Sequence, residues 1–182
     1  NRNNSLKGCY SLANIEELKQ YKNIHMIGIG GISMSGIAEI LKFWGFHVTG
    51  SDTSSSEVTD KLISSGISVT IGHNLEDVAK SDVVVYSAAV RKDDVELTKA
   101  HELNIPTIER GTFLGKITKA FQDTICISGT HGKTTTTSMV SVCFLEALKD
   151  PSIQVGAYLK ALDGNYRVGN SEYFIIEACE YV

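Results

Sequence analysis

A short apolar run over residues 24–29 breaks onto Gly28-Ile29-Gly30-Gly31-Ile32-Ser33-Met34-Ser35-Gly36, and an apolar stripe at helical spacing (Ile37, Ile40, Leu41, Trp44) follows at once. Strand, glycine turn and amphipathic helix in that order constrain the fold more than any other feature. A buried strand that feeds a helix packing back on it makes a parallel crossover. The glycines serve a tight turn and allow backbone N–H groups to approach an anion at a helix N-terminus. The alternation then repeats. Residues 46–50, 68–71 and 83–86 read as strands, Pro106 opens another, and residues 56–65, 94–103 and 111–121 read as helices. Five such alternations specify an α/β chain with a Rossmann-like, doubly wound parallel sheet, here assigned to residues 1–120.

A second unit is expected over residues 121–182. Residues 124–128 form a strand, 129–133 a glycine-containing turn and 134–148 a long helix, with Pro151 as its stop signal. One more strand follows at 173–176. This pattern reads as the truncated start of a P-loop ATP-binding domain whose C-terminal part is missing and whose half-sheet exposes apolar edges.

Composition excludes several classes. Hydrophobic residues make up 42% and charged residues 21%, which is ordinary globular usage. A formal charge of -4 argues against a nucleic-acid binder working by bulk electrostatics. No apolar run approaches the roughly 20 residues that would cross a bilayer, so no membrane insertion is expected. The first five residues lack a signal-peptide pattern, and an N-terminus without Met reads as trimmed. The scattered cysteines (Cys9, Cys126, Cys143, Cys179) are read as reduced, mostly buried thiols of a cytoplasmic protein.

Three motifs carry chemistry. In the first, Gly28, Gly30 and Gly31 precede a helix, and Asp52 ends the next strand, where a dinucleotide fold bonds a ribose hydroxyl. Ser33 stands where the usual fingerprint has Gly or Ala, which favours a diphosphate ligand other than NAD; a turn used only for packing is the plainer alternative. The second is Gly129-Thr130-His131-Gly132-Lys133-Thr134-Thr135, with glycines, a lysine for β/γ-phosphate oxygens and a hydroxyl for Mg²⁺. Ile127 replaces the first glycine of the general pattern, so the loop is shorter; a helix N-cap is the alternative role. Lys133 near the positive end of a helix dipole is unfavourable without an anion, which favours a phosphate role. The third is Glu177-Ala178-Cys179-Glu180, where Glu177 could reach Mg²⁺ with Thr134 if the two strands are neighbours. Weaker candidates are Ser87-Ala88-Ala89 at a strand end, His73, His131 and Arg110, while His25, His47 and His101 are read as structural.

Taken together, residues 28–36, 50–52, 87–89, 129–137 and 177–180 resemble the Mur ligases of bacterial peptidoglycan synthesis. The short phosphate loop is that family's own form. The resemblance implies a three-domain ATP-dependent ligase. It phosphorylates the carboxylate of UDP-N-acetylmuramate, and the amine of L-alanine then attacks the acyl phosphate. It further implies that Gly28, Gly30, Gly31, Ser51, Asp52, His73, Ser87 and Ala88 contact the uridine diphosphate part. Residues Gly129, Thr130, His131, Gly132, Lys133, Thr134 and Thr135 would bind ATP, with Lys133 as the catalytic cation and Thr134 and Glu177 toward Mg²⁺. With the remaining domains absent, the chain alone is expected not to ligate. An NAD(P)-binding oxidoreductase domain and a non-catalytic UDP-sugar-binding module are the competing readings.

Overall fold

The computed structural model describes residues 15–178. Its contacts divide the chain into two compact units, Glu16–Lys116 and the residues from Ile117 onward. Cys9, Cys179 and Glu180 lie outside the described residues.

After a one-turn helix α1 (Glu16–Lys19), the first unit runs β1 (Asn23–Ile27), α2 (Ile32–Phe43), β2 (His47–Asp52), α3 (Glu57–Ser64), β3 (Ser68–Ile71), α4 (Leu75–Lys80), β4 (Val83–Tyr86), α5 (Val95–Glu102), β5 (Thr107–Glu109) and α6 (Arg110–Thr118). All strand pairs are parallel, in the order β3-β2-β1-β4-β5. The doubly wound sheet expected from the alternation is therefore what forms. Order reverses between β1 and β4, and the crevice beyond their carboxyl ends is where such sheets receive ligands. Consecutive residues of β1 and β4 are buried, so both faces of the sheet are covered. One face packs Ile27 and Val84 against Val78 of α4 and Leu97 and Ala100 of α5.

Local chemistry sets the helix starts. Ser56 and Thr59 form a reciprocal capping box on α3, and the Asp94 side chain accepts from the amides of Glu96 and Leu97 at the start of α5. The helix α4 is absent from the sequence reading; its Asn74 cap accepts from Asp77 N–H, but six residues are too few for a clear apolar period.

The second unit contains β6 (Asp123–Ile127), α7 (Lys133–Glu146), β7 (Ser152–Leu159), a 3₁₀ turn (Lys160–Leu162), β8 (Gly164–Arg167) and β9 (Tyr173–Glu177). Its sheet has the order β6-β9-β7-β8, mixed because β8 returns antiparallel to β7. The half-sheet expected from the sequence is thus corrected to four strands. Ile153, Val155 and Ile175 are buried under Val140, Phe144 and Leu145 of α7, and Phe174 stacks on Phe121. Pro151 does stop the preceding helix, but Ile153, Val155 and Leu159 alternate immediately after it as a strand should. Among the described residues of this unit, the exposed large apolar side chains include Met139 of α7, Leu148 just past its end and Tyr158 of β7.

The buried-thiol expectation fails for Cys126 and Cys143, both exposed. Ile125 and Ile127 of the edge strand β6 turn toward the α7 cluster, so the side chain between them turns away. Cys143 leaves α7 on the side opposite its sheet-facing residues. Among the described residues no helix is long and apolar enough to cross a membrane.

Gly50 marks the tightest packing of the first sheet. A Cβ there would stand 2.6 Å from Ile29 Cδ1 and 2.7 Å from the Met26 carbonyl oxygen, which is backbone and cannot step aside. Gly50→Ala should therefore lower the stability of the first unit by about 2 kcal/mol, the usual cost of overpacking. Urea unfolding followed by the fluorescence of Trp44, the single tryptophan of the chain, measures it.

Candidate functional site

The loop after β1 is built on Gly28, whose φ of 77° lies in the left-handed region that suits glycine. A Cβ on Gly28 would lie 3.3 Å from Ser87 Cβ, and one on Gly30 would lie 2.8 Å from the Asp52 carboxylate. Glycine is needed here for close approach of three strand ends. The expectation that these glycines aim bare amides at an anion needs correction. Gly28 N–H donates to the Ser51 carbonyl (2.8 Å), Gly30 N–H to Asp52 Oδ2 (2.8 Å) and Gly31 N–H to the Gly28 carbonyl (3.2 Å). Asp52, expected to serve a ribose hydroxyl, thus closes the glycine loop and also accepts from Ser54 N–H. A carboxylate with about four lone-pair sites keeps capacity for a ligand beyond these two bonds. The positive end of α2 starts just past the loop, with Gly31 as an N-cap lacking any side-chain bond. Arg110 donates to Ser33 Oγ there at 3.1 Å, which puts a guanidinium beside that helix end.

Seven of the expected substrate residues line one cleft of about 730 Å³: Gly28, Gly30, Gly31, Ser51, Asp52, His73 and Ser87. Ala88 is not among its lining residues; Ala89 is, because Val90 N–H folds back to the Ser87 carbonyl and turns the segment. Arg91, Asp93, Asp94 and Glu96 complete the wall.

Glu96 is the residue that sequence reasoning missed. Its side chain is fully buried, and it accepts from His25 Nε2 (3.2 Å), Asn74 N–H (2.8 Å), Ser51 Oγ (2.6 Å) and His73 Nδ1 (3.4 Å). Burial, the largest single influence, pushes its pKa up, but the hydrogen bonds from His25, Ser51 and the Asn74 amide together outweigh it and bring it to about 2. His25, read as merely structural, is fully buried and also bonds Thr49 Oγ1 at 2.8 Å. A faint signal was present. His25, Thr49 and Ser51 occupy the same face of adjacent strands, and polar groups on a covered face need a buried partner. His73, Asp94 and Glu96 also bring one ligand-type atom each within 4.8 Å of the others, but the donors around Glu96 already take up its oxygens.

In the second unit, Gly129 and Gly132 take positive φ (149° and 76°), and Gly132 caps α7. Lys133 Nζ donates to the Gly129 carbonyl, so the loop itself supplies a partner for the ammonium at the positive helix end. The strands β6 and β9 are direct neighbours, with Ile127 opposite Glu177. That register brings Thr134 Oγ1 to 3.2 Å from Glu177 Oε2 across 43 positions of chain. Gly156 N–H holds the other carboxylate oxygen at 2.9 Å. Thr130, His131 and Thr135 are exposed around the loop. A hydroxyl and a carboxylate beside the amides of a helix start form a donor set that suits Mg²⁺.

Residues 23–122 match the sequence profile described as Mur ligase family, catalytic domain. The chain belongs to the Mur ligase family. This Mur ligase chain is 53% identical over 163 residues to the UDP-N-acetylmuramate–L-alanine ligase of Acetivibrio thermocellus, covering 90% of this chain and 35% of that protein. It is 54% identical over 160 residues to the enzyme of that name from Clostridium botulinum, covering 88% and 35%. A similarity of that length necessarily runs through the second sheet. In three dimensions it matches the UDP-N-acetylmuramate–alanine ligase of Thermotoga maritima with a TM-score of 0.80 at 33% identity, over 86% of this chain and 36% of the other. The UDP-N-acetylmuramate:L-alanyl-γ-D-glutamyl-meso-diaminopimelate ligase of Neisseria meningitides matches at 0.80 and 30%, over 88% and 53%. The chain spans about a third of the length of the curated relatives it matches.

The buried carboxylate makes a pH prediction. Its folded pKa lies below the ordinary carboxylate value, so the stabilisation is present above about pH 4.5 and is lost as pH falls through about 2. The shift corresponds to roughly 3 kcal/mol as an upper figure. Urea unfolding by Trp44 fluorescence should show stability declining between about pH 5 and 2, and Glu96→Gln should remove that component.

Proposed function

We propose that the first unit holds UDP-N-acetylmuramate and that the second begins the site for ATP and Mg²⁺ of a cytoplasmic ligase that joins L-alanine to that substrate. The observation that carries the reading is the meeting of Thr134 with Glu177 at the mouth of the second glycine loop. An oxidoreductase has no use for a second phosphate loop. Identity of 53–54% to curated L-alanine ligases supports alanine as the incoming amino acid.

Each group has a physical task. At the first cleft, the positive end of α2 suits the diphosphate, with Arg110 beside that helix start at Ser33, while Asp52, Ser51 and His73 suit the nucleoside. At the second, Thr134 and Glu177 would hold Mg²⁺, which supplies charge neutralisation to the phosphates when bound. Lys133 turns its ammonium from the Gly129 carbonyl to β/γ-phosphate oxygens, and the first-turn amides of α7 add donors aligned with the helix dipole. Phosphoryl transfer to a carboxylate needs mainly alignment and charge stabilisation, and these residues provide both. The amine of L-alanine then displaces phosphate from the acyl phosphate.

Calorimetric titration of this chain tests the reading. UDP-N-acetylmuramate should bind and NADH should not. Lys133→Ala should weaken Mg-ATP binding by roughly tenfold to a hundredfold, the scale of one charge-assisted hydrogen bond, and leave the UDP ligand unaffected. NADH competing with UDP for the cleft would overturn it.

A further inference from the structure

The carboxylate of Glu96 can only accept, and it has about four lone-pair sites for four neighbours. Each neighbour must therefore turn a hydrogen toward it: His25 through Nε2, Asn74 through its amide, Ser51 through its hydroxyl and His73 through Nδ1. Three of these are fixed in the wall of the fold. His73 is different, because its side chain is 49% exposed and lines the cleft. A second carboxylate, Asp94, stands 3.9 Å from the same Nδ1, so both acids face one edge of the ring. A neutral imidazole carries one hydrogen, and the partner of one nitrogen sets the state of the other. With Nδ1–H turned to Glu96, the opposite nitrogen Nε2 has a bare lone pair and is a hydrogen-bond acceptor.

Resting on the nucleotide-binding reading of this cleft, we infer that Glu96 is a positioning residue: it holds His73 in the Nδ1–H tautomer, so that Nε2 accepts a hydrogen bond from a ribose hydroxyl of the bound nucleotide. The surroundings agree on the sign. The cleft wall here also carries Asp94, the cap of α5, next to Glu96, while Asp93 beside it is paired with Arg91. Acceptors and negative charge collect at this end, which suits hydroxyl donors and repels phosphate, while Arg110 and the start of α2 lie at Ser33. Glu96 thereby gives the cleft a direction, with the hydroxyl-bearing part of the ligand beside β2 and β3 and its phosphates by the α2 start.

Two measurements on the whole chain test this. The first is long-range proton–nitrogen NMR of the ligand-free protein labelled with ¹⁵N-histidine at about pH 8, where an ordinary imidazole is neutral; His73→Gln identifies the resonance. The second is the calorimetric affinity of UDP against 2′,3′-dideoxy-UDP. The expected results are an Nδ1–H ring in the wild type and about a tenfold preference for UDP, the scale of one hydrogen bond. In Glu96→Gln the Nε2–H form should gain population and the preference should fall to about twofold or less. His73→Ala changes a half-exposed side chain and keeps the test sharp if the Glu96 variant does not fold; it too should lose the preference. An Nε2–H ring in the wild type overturns the inference, as does an undiminished preference for UDP in either variant. If UDP binds without any preference over the dideoxy form, the inference fails alone; if UDP does not bind at all, the nucleotide reading of the cleft fails with it.

Discussion

Removing a carboxylate from water is tolerable only when hydrogen bonds replace its hydration, and Glu96 meets that condition with four donors from three separate segments. His25 comes from β1, Ser51 from β2, and His73 and Asn74 from the link between β3 and α4, while Glu96 itself belongs to the first turn of α5. The charge is thus a tie between the carboxyl ends of three neighbouring strands and a helix from beyond the switch in strand order. The cleft opens at that junction. A neutral amide of the same shape would keep one acceptor oxygen but set an NH2 donor against the two donors that face the other, so the arrangement of the cleft depends on the charge as well as on the apolar packing beneath it.

The two glycine loops meet different constraints. In the first, glycine serves steric approach: Gly28 lets the β1 and β4 ends come together, and Gly30 lets the Asp52 carboxylate reach a backbone amide. The loop becomes an internally bonded corner, and the start of α2 just past it stands beside Arg110. In the second, glycine serves backbone conformation, since Gly132 caps α7 at positive φ and no side chain performs that task. There Lys133 takes the Gly129 carbonyl as its partner. Similar residues at similar places in the chain thus produce one closed corner and one loop with a cation folded across it.

Family membership agrees with this division. The matched profile covers the first sheet and stops near the start of the second, whereas similarity to the L-alanine ligases continues over both. The fold is shared equally with a ligase for a tripeptide, with the same TM-score of 0.80. The scaffold is therefore common to ligases with different incoming amines.

Sequence alone determined whatever depends on neighbours along the chain. The apolar runs, the helical stripe from Ile37 to Trp44, the glycine turns and the Gly132-Lys133-Thr134 start of α7 are local patterns, and local sterics suffice to interpret them. The parallel sheet follows, because a strand–helix–strand repeat has few ways to bury both faces. Tertiary structure decided the pairings between distant positions. Nothing near Glu96 along the chain announces His25 or Ser51, and only the parallel register of β1 with β2 sets His25, Thr49 and Ser51 on one face beneath α5. The hairpin of β7 and β8 and the exposure of Cys126 depend on which strand becomes an edge, and strand order is a property of the assembled sheet. Likewise the Asp52 carboxylate went to Gly30 rather than to open solvent, because a loop 22 residues upstream arrives within 2.8 Å of it. Hydrogen bonds and charges act across space, so their partners become legible only once the chain has closed on itself.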